Sequence, residues 1–477
     1  MRLVRRHWLF AGVLTLAVAV RAVTMIGYPQ PVWFEDSFDY VGVAERMQPY
    51  PIRPSGYSFV LWLTRPLHSF AAVTALQHLM GLAMGVMLYL LIRRRAPRLA
   101  KPWAVLVVCP VLLDGYQIFF EHTILSDVLF SFLVTTATTI TLWTPRISLV
   151  RAALAALFIA AAVLTRSTGL VLLPLLAGYL LINRAGWRAL GAASAVAALC
   201  LGGYALWYDA WHGSPALNGG SGVWLWARTM PIADCTRTVP RADEAILCPS
   251  GPREGRPSSP AFIWSPWSPL RKIPGHAITM RPDLFHPQID DLAGRFARRV
   301  ILSQPLDYLG LVAKDAARTL AWGRGPDPGP IFYNRYAFPN AAGPLPDGVR
   351  IAGGTIQHDL RAYEQGAVAI RFDEPMAGIM RGYLSYVYLP GTVFGLLLGY
   401  TAVRAVRRRG ETGKAVALPL AFAVALVIAP VVVAAYDSRY WLPAVPLLGM
   451  AAAISFADRL PVRPLVRPAV RVDASMS

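Results

Sequence analysis

WLFAGVLTLAVAVRAVTMIG (8–27), FEDSFDY (34–40) and IRPSGYSFVLWL (52–63) follow one another at the start of the chain. An apolar helix ends, an acidic knot follows, and the chain turns back toward lipid. Carboxylates held at a membrane edge are costly to keep there, so they mark places where chemistry or transport happens.

Outward from that stretch the sequence repeats the first of these signals. Further apolar runs lie near 70–92, 102–115, 124–143, 149–165, 167–183, 189–208, 381–403, 414–435 and 439–457. About 20 apolar residues cross a bilayer as a helix, so ten spans are expected, with 102–115 and 149–165 short. Composition agrees: the 477 residues are 55% apolar and only 15% charged, against about 25% charged in soluble domains, and mean hydropathy is +0.44. The predicted class is an all-α polytopic membrane protein. SFVLWL is too short to span and reads as an interfacial or re-entrant helix. A basic start before 8–27 also suits a cleaved signal peptide. Arg21 interrupts the run and no small-residue cleavage site follows, which favours a retained span.

The short connections set the expected orientation. Arg93, Arg94, Arg95, Arg98 and Lys101 fill one, Arg146 and Arg151 another, Arg184 and Arg188 a third. Arg404, Arg407, Arg408, Arg409 and Lys414 fill a fourth, and the tail carries Arg459, Arg463, Arg467 and Arg471. Threading ten spans from a cytoplasmic N-terminus puts all of these inside, as the positive-inside rule requires. The expected organisation is an N-terminal membrane module (1–208) with its first outer loop at 28–68, an extracytoplasmic segment (209–380), C-terminal helices (381–457) and a cytoplasmic basic tail (458–477). Both termini then lie inside a multi-pass plasma-membrane protein. The net charge of +19 is almost wholly arginine. It reads as topology and contact with anionic membrane lipids; no compact basic, aromatic-interleaved patch points to nucleic acid.

The outer segment is rich in Pro, Gly and Arg and is expected to be mostly irregular. Two amphipathic helices are predicted within it, to lie on the membrane or to pack over the site. One aligns Ile289, Leu292, Phe296 and Val300; the other, started by Ser303 and Pro305, aligns Leu306, Leu309, Val312, Ala316 and Leu320. A third is placed near 357–371. Cys235 and Cys248 would pair if the segment faces an oxidising compartment, stabilising it by roughly 3 kcal/mol; otherwise they are two loop thiols. Cys109 and Cys200 lie in apolar runs and read as buried thiols.

On the predicted outer face the acidic knot is joined by the turn 115–123, Arg166 and YDSRYW (436–441). DSFDYVGVAERM (36–47), with an acidic residue four positions before a tyrosine, RPSGY (53–57), LTRSTGLVLLP (164–174) and DSRYWLPAVPLL (437–448) together resemble GT-C class, polyprenyl-phosphate-sugar-dependent glycosyltransferases. Protein O-mannosyltransferases and lipid A aminoarabinose transferases belong to that class. The resemblance covers the whole architecture through short motifs. It departs in the order Glu35–Asp36, where some members carry an adjacent Asp–Glu pair.

The resemblance implies transfer of a single sugar, such as mannose, from a polyprenyl-phosphate donor to an envelope glycan, lipid or protein outside the cell. The phosphate is a good leaving group, so one base for the acceptor hydroxyl suffices. Asp36 suits that role, with inversion at the sugar carbon, and Glu35 and Asp39 are the other candidates. Arg makes bidentate contacts to phosphate, so Arg166, Arg439 and Arg53 are the expected phosphate ligands, with Arg21 a fourth; snorkelling to headgroups is the competing explanation. Tyr40, Tyr57 and Tyr440 are candidates for binding substrate or acceptor. In EHTILSD (121–127), Glu121, His122 and Asp127 suit an acceptor or a divalent ion, while Ser126 and Asp127 also suit a helix cap. Trp224, Trp226, Trp264 and Trp267 fit sugar stacking and interfacial anchoring equally. The rival readings are a transporter or lipid flippase without glycosyl transfer and a non-catalytic envelope assembly protein.

Overall fold

The computed structural model describes residues 7–323, 325, 333–407 and 410–456. The basic tail 458–477, Arg408 and Arg409 lie outside the described residues. The first half of the chain folds as α1 (Trp8–Gly27), α2 (Glu35–Arg46), α3 (Gly56–Thr64), α4 (Phe70–Arg95), α5 (Lys101–Leu113), α6 (Gly115–Glu121), α7 (Asp127–Leu142), α8 (Leu149–Thr165), α9 (Leu172–Ile182) and α10 (Trp187–His212). The segment 209–380, named outer for its expected side, contributes α11 (Ser221–Thr229), α12 (Pro287–Ser303), α13 (Pro305–Arg318) and α14 (Ile356–Glu364) among shorter turns. The chain closes with α15 (Met376–Tyr386), α16 (Gly391–Arg407), α17 (Gly410–Val433) and α18 (Ala444–Phe456). Gly343–Pro344 pairs antiparallel with Ala369–Ile370, and isolated bridges join Val32 to Thr123 and Val349 to Thr355.

Among the described residues, α1, α4, α10 and α17 are long and apolar enough to cross a membrane, and two bent pairs, α5 with α6 and α15 with α16, pass together. Four shorter apolar helices, α7, α8, Ser167–Ile182 and α18, complete the set. The ten expected runs fall on these helices. The last differs: α18 begins at Ala444, so Arg439 and Tyr440 belong to a non-helical strap before it. The turn expected at 115–123 is instead mostly the helix α6, bent 45° from α5.

Both bends have a shared cause. Asp114 ends α5 and accepts the N–H groups of Tyr116 (2.8 Å) and Gln117 (3.2 Å), capping α6. Its other oxygen accepts the Leu389 N–H at 2.6 Å, and Val387 O accepts the Gly115 N–H at 2.7 Å. The α15–α16 break, set by Pro390, thus docks on the α5–α6 break. Each satisfies backbone groups that the other leaves unpaired, as a broken helix at membrane depth requires.

The basic ends cohere on one side. Arg94 donates to Trp143 O (2.6 Å), Lys414 to Ile182 O (3.0 Å) and Arg404 to Ser455 O (3.0 Å). These bonds tie α4 to α7, α17 to α9 and α16 to α18 at the ends remote from α2.

One apolar core runs through the membrane helices. A second lies in the outer segment, built on Trp226, Phe285, Phe296 and Val300, and it takes in Val43, Tyr50 and Ile52 from the first outer loop. That loop is therefore clamped between two cores. Helix α12 buries Ile289, Phe296 and Val300 completely, as its periodicity predicts. Helix α13 is turned the other way: Leu306 is 81% and Leu309 60% exposed, while Tyr308 and Asp315 are buried. Of its expected apolar stripe, Leu306, Leu309 and Leu320 are exposed and Val312 and Ala316 half-buried. The third helix, expected at 357–371, ends at Glu364. Cys235 and Cys248 form a disulfide with Cα atoms 6.2 Å apart. Cys109 and Cys200 are half-buried, not buried as expected.

Candidate active site

The acidic knot becomes the first turn of α2. Acidic residues at a helix N-terminus complement its dipole, and here Glu35 and Asp36 occupy it. Ser37 accepts the Phe34 N–H at 2.9 Å, closing the turn. Spacing then sorts the side chains. Asp36 and Tyr40, four apart, face a cavity of about 830 Å³, whereas Asp39 is fully buried outside its lining.

Three other elements complete the cavity. Helix α3 seats on the end of α8: a Cβ at Gly56 would lie 2.4 Å from Leu164 O, so only glycine allows this approach. That contact brings Arg53, just before α3, alongside Arg166, just after α8. The strap before α18 adds Asp437, Arg439 and Tyr440, and Arg271, Arg281, Arg335 and Arg350 enter from the outer segment. Seven arginines and three carboxylates thus line one cavity.

Asp36 sits 2.9 Å from an Arg53 nitrogen and 3.5 Å from one of Arg439, with 16% of its side chain exposed. Burial opposes its ionisation, but Arg53 and Arg439 hold its carboxyl well below the usual carboxylate range. Asp39 behaves oppositely: burial pushes its carboxyl up, and Arg53 at 3.6 Å and Arg281 at 3.9 Å offset this only in part. For Glu35, burial is outweighed by Arg350, Arg335 (3.0 Å) and Arg281 (3.8 Å), which keep it ionised. Glu35 therefore fastens outer-segment arginines to α2.

Arg166 pairs with Asp127 and lies over the Tyr440 ring, 5.0 Å from its centroid. Arg439 is shared among Asp36, Asp127 (3.8 Å) and Asp437 (3.4 Å) and lies over Phe34 and Tyr440. Burial pushes Asp437 up, with Arg439 and the Tyr336 hydroxyl, which donates at 2.6 Å, partly offsetting it. Tyr40 donates to Ser126 Oγ at 2.9 Å. Ser126 stands at the N-cap of α7 but makes no side-chain cap bond and instead lines the cavity, while Asp127 stands in the first turn of α7, paired with Arg166 and Arg439 behind the lining. Tyr57 lies behind it, edge-on to Tyr40 and donating to Gln77 Oε1 at 2.9 Å.

Glu121 and His122 are not brought to the cavity. Glu121, wholly buried, receives Arg21 Nε and Nη2 on its two oxygens, each at 2.8 Å, and His78 Nδ1 lies 2.8 Å from it. His122 stacks on His78 and approaches Tyr28 O at 2.8 Å. The pair with Glu121 also withdraws Arg21 from phosphate binding. A Cβ on Gly81 would lie 1.7 Å from Glu121 Oε1, so glycine makes room for this carboxylate. Among the described residues, no three His, Cys, Asp or Glu side chains cluster to hold a metal ion. Trp224 and Trp264 line the cavity, Arg281 lying 4.1 Å over the Trp264 ring, whereas Trp226 is fully buried in the outer core and Trp267 packs on Phe262.

Sequence reasoning missed Arg271, Arg281, Arg335 and Arg350. Arg271 and Arg281 stand in single 3-10 turns and Arg335 and Arg350 in irregular chain, all too short for periodicity, and the only signal was the segment's arginine content.

No family model and no curated protein matches the chain. Among solved structures it is similar to ArnT from Cupriavidus metallidurans, determined in the apo state and bound to undecaprenyl phosphate. Identity is 14% over 95% of this chain and 77% of that one, with a TM-score of 0.36. It is also similar to the oligosaccharyltransferase AglB from Archaeoglobus fulgidus, in complex with an inhibitory peptide and a dolichol-phosphate. There identity is 14% over 95% of this chain and 50% of that one, with a TM-score of 0.40. The likeness is one of fold alone.

Proposed function

We propose that this protein transfers a single sugar from a polyprenyl-phosphate donor to a cell-envelope acceptor, on the outer face of the plasma membrane, with inversion at the sugar carbon. The observation that carries the reading is Asp36 standing between Arg53 and Arg439 in a cavity where arginines outnumber carboxylates by more than two to one. Such a site suits an anion that becomes more negative as it reacts. The acceptor oxygen attacks the anomeric carbon, its proton passes to an Asp36 oxygen, and the sugar–phosphate bond breaks with its electron pair on the phosphate. The donor diester carries one charge and the leaving monoester nearly two. Arg53, Arg166 and Arg439 therefore bind the product-like transition state better than the ground state. Phosphate also competes with Asp36 for Arg53 and Arg439, which restores basicity to the carboxylate when the donor is present. The cohering basic helix ends support a cytoplasmic placement for the opposite side and for both termini.

Incubating the purified protein with labelled polyprenyl phosphosugars, mannose first, tests the reading. Release of polyprenyl phosphate together with a glycosylated product supports it. Movement of intact lipid across vesicles without either would establish the transporter instead.

The pH dependence follows from Asp36. A carboxyl held below its ordinary value of about 3.9 stays ionised as pH falls, so its ion pairs stabilise the fold above that value and lose strength only below it. The donor kcat/KM is expected to show no acid limb between about pH 5 and 7, since that parameter reports the free enzyme's essential groups. A limb near pH 6 in a pH–rate series would assign the base elsewhere.

A further inference from the structure

A second cavity, of about 240 Å³, lies on the other side of the strap that carries Arg439. Its walls include Ala435 and Tyr436 from that strap, Arg228 from α11, Arg256, and Leu311, Lys314, Asp315 and Arg318 from α13. The four α13 residues fall at i, i+3, i+4 and i+7, a single helical face. Four cations meet one carboxylate there. Arg318 pairs with Asp315 at 3.0 Å and Arg228 with its other oxygen. Arg256 is held by the carbonyls of Met230 (3.0 Å) and Ala233 (2.7 Å), which orient its charge without cancelling it.

Arg228 is the informative member. Only 1% of it is exposed, and its Nε and Nη2 find no hydrogen-bond acceptor among the described residues. Buried guanidinium nitrogens left unmet are costly, and an oxyanion in the cavity would meet them. The place selects the anion's source. The opposite face of α13 exposes Leu306 and Leu309, with Leu302, Leu320 and Trp322 beside it, and α13 packs against the spanning helix α17. An apolar stripe next to a span, backed by a cationic stripe, is how a helix lies in the interface of a bilayer.

We propose that this cavity is a binding site for the phosphoryl headgroup of an anionic membrane lipid, separate from the cavity at Asp36. Its occupant would abut Tyr436, one residue from Asp437, so the headgroup braces the strap that presents Arg439.

The test uses the full-length protein in a non-ionic detergent, titrated calorimetrically with dihexanoyl phosphatidylglycerol, dihexanoyl phosphatidylcholine and inorganic phosphate. Lys314→Gln combined with Arg318→Gln is expected to weaken phosphatidylglycerol binding by about tenfold or more, charge-assisted contacts being the strong ones. Arg271→Gln, in the other cavity, should leave that component in place, and thermal unfolding should show all variants folded. Inorganic phosphate binding as tightly, with the same dependence on Lys314 and Arg318, overturns the lipid source in favour of free phosphate. Equal affinity for phosphatidylcholine, or affinity indifferent to the double substitution, overturns the site. These readouts need no sugar transfer, so the proposal stands or falls independently of the catalytic reading.

Discussion

Asp36→Asn is expected to slow sugar transfer by about 10²- to 10⁴-fold, the range contributed by a positioned general base, while donor binding is kept or tightened. The amide cannot accept the acceptor's proton, yet it fills the same space beside Arg53 and Arg439. Removing the carboxylate frees those two guanidinium groups for phosphate, so the donor's affinity should not fall. Asp39→Asn is the matched control. Asp39 is fully buried behind the cavity wall and held toward its neutral form, so its amide should leave turnover within a few-fold. Product formation from labelled donor and a direct donor-binding titration separate the two effects. Wild-type turnover in Asp36→Asn removes Asp36 from the mechanism, and loss confined to Asp39→Asn moves the base by one helical turn.

Glu121→Ala should destabilise the protein by about 3–5 kcal/mol, the usual consequence of stranding one partner of a buried ion pair. Arg21 is 3% exposed and directs two nitrogens at Glu121 and one at Leu112 O. Without the carboxylate its charge has no counterion inside the helix bundle, and His78 and Gln117 lose a partner as well. Reversible unfolding in mixed micelles would read the loss. Arg21→Met together with Glu121→Leu should recover most of it, since replacing both partners by apolar groups removes the desolvation cost along with the attraction. A single variant as stable as the parent would mean that the pair is not formed.

Hydropathy alone located the apolar helices, because each buries backbone polar groups within itself and leaves a long apolar run in the sequence. What it could not place were the breaks. Asp114 reads as a loop residue, and only its distant acceptor role toward Leu389 explains why two spans bend at the same level. Local order also made the core of the candidate site readable. Asp36, Arg53, Arg166 and Arg439 each sit at the edge of an apolar run, where a charge is conspicuous. Glu121 was equally conspicuous, and the inference about its place failed. A carboxylate at the end of a span signals burial cost, but its sequence neighbours do not reveal whether Arg21 or open cavity receives it. The remaining arginines of the cavity lie more than 200 residues beyond Asp36, Arg271, Arg281 and Arg350 beside the outer core built on Trp226 and Phe296 and Arg335 beside Tyr336 of the membrane-helix core, and such tertiary placement leaves no periodic trace.

The arginine surplus around Asp36 has a kinetic cost on the proposed reaction. The spent carrier leaves with more negative charge than the loaded one brought in, so it should cling longer. Turnover would then be paced by ejection of the exhausted lipid, and accumulation of that lipid in the surrounding leaflet should throttle the enzyme unless it is continuously cleared.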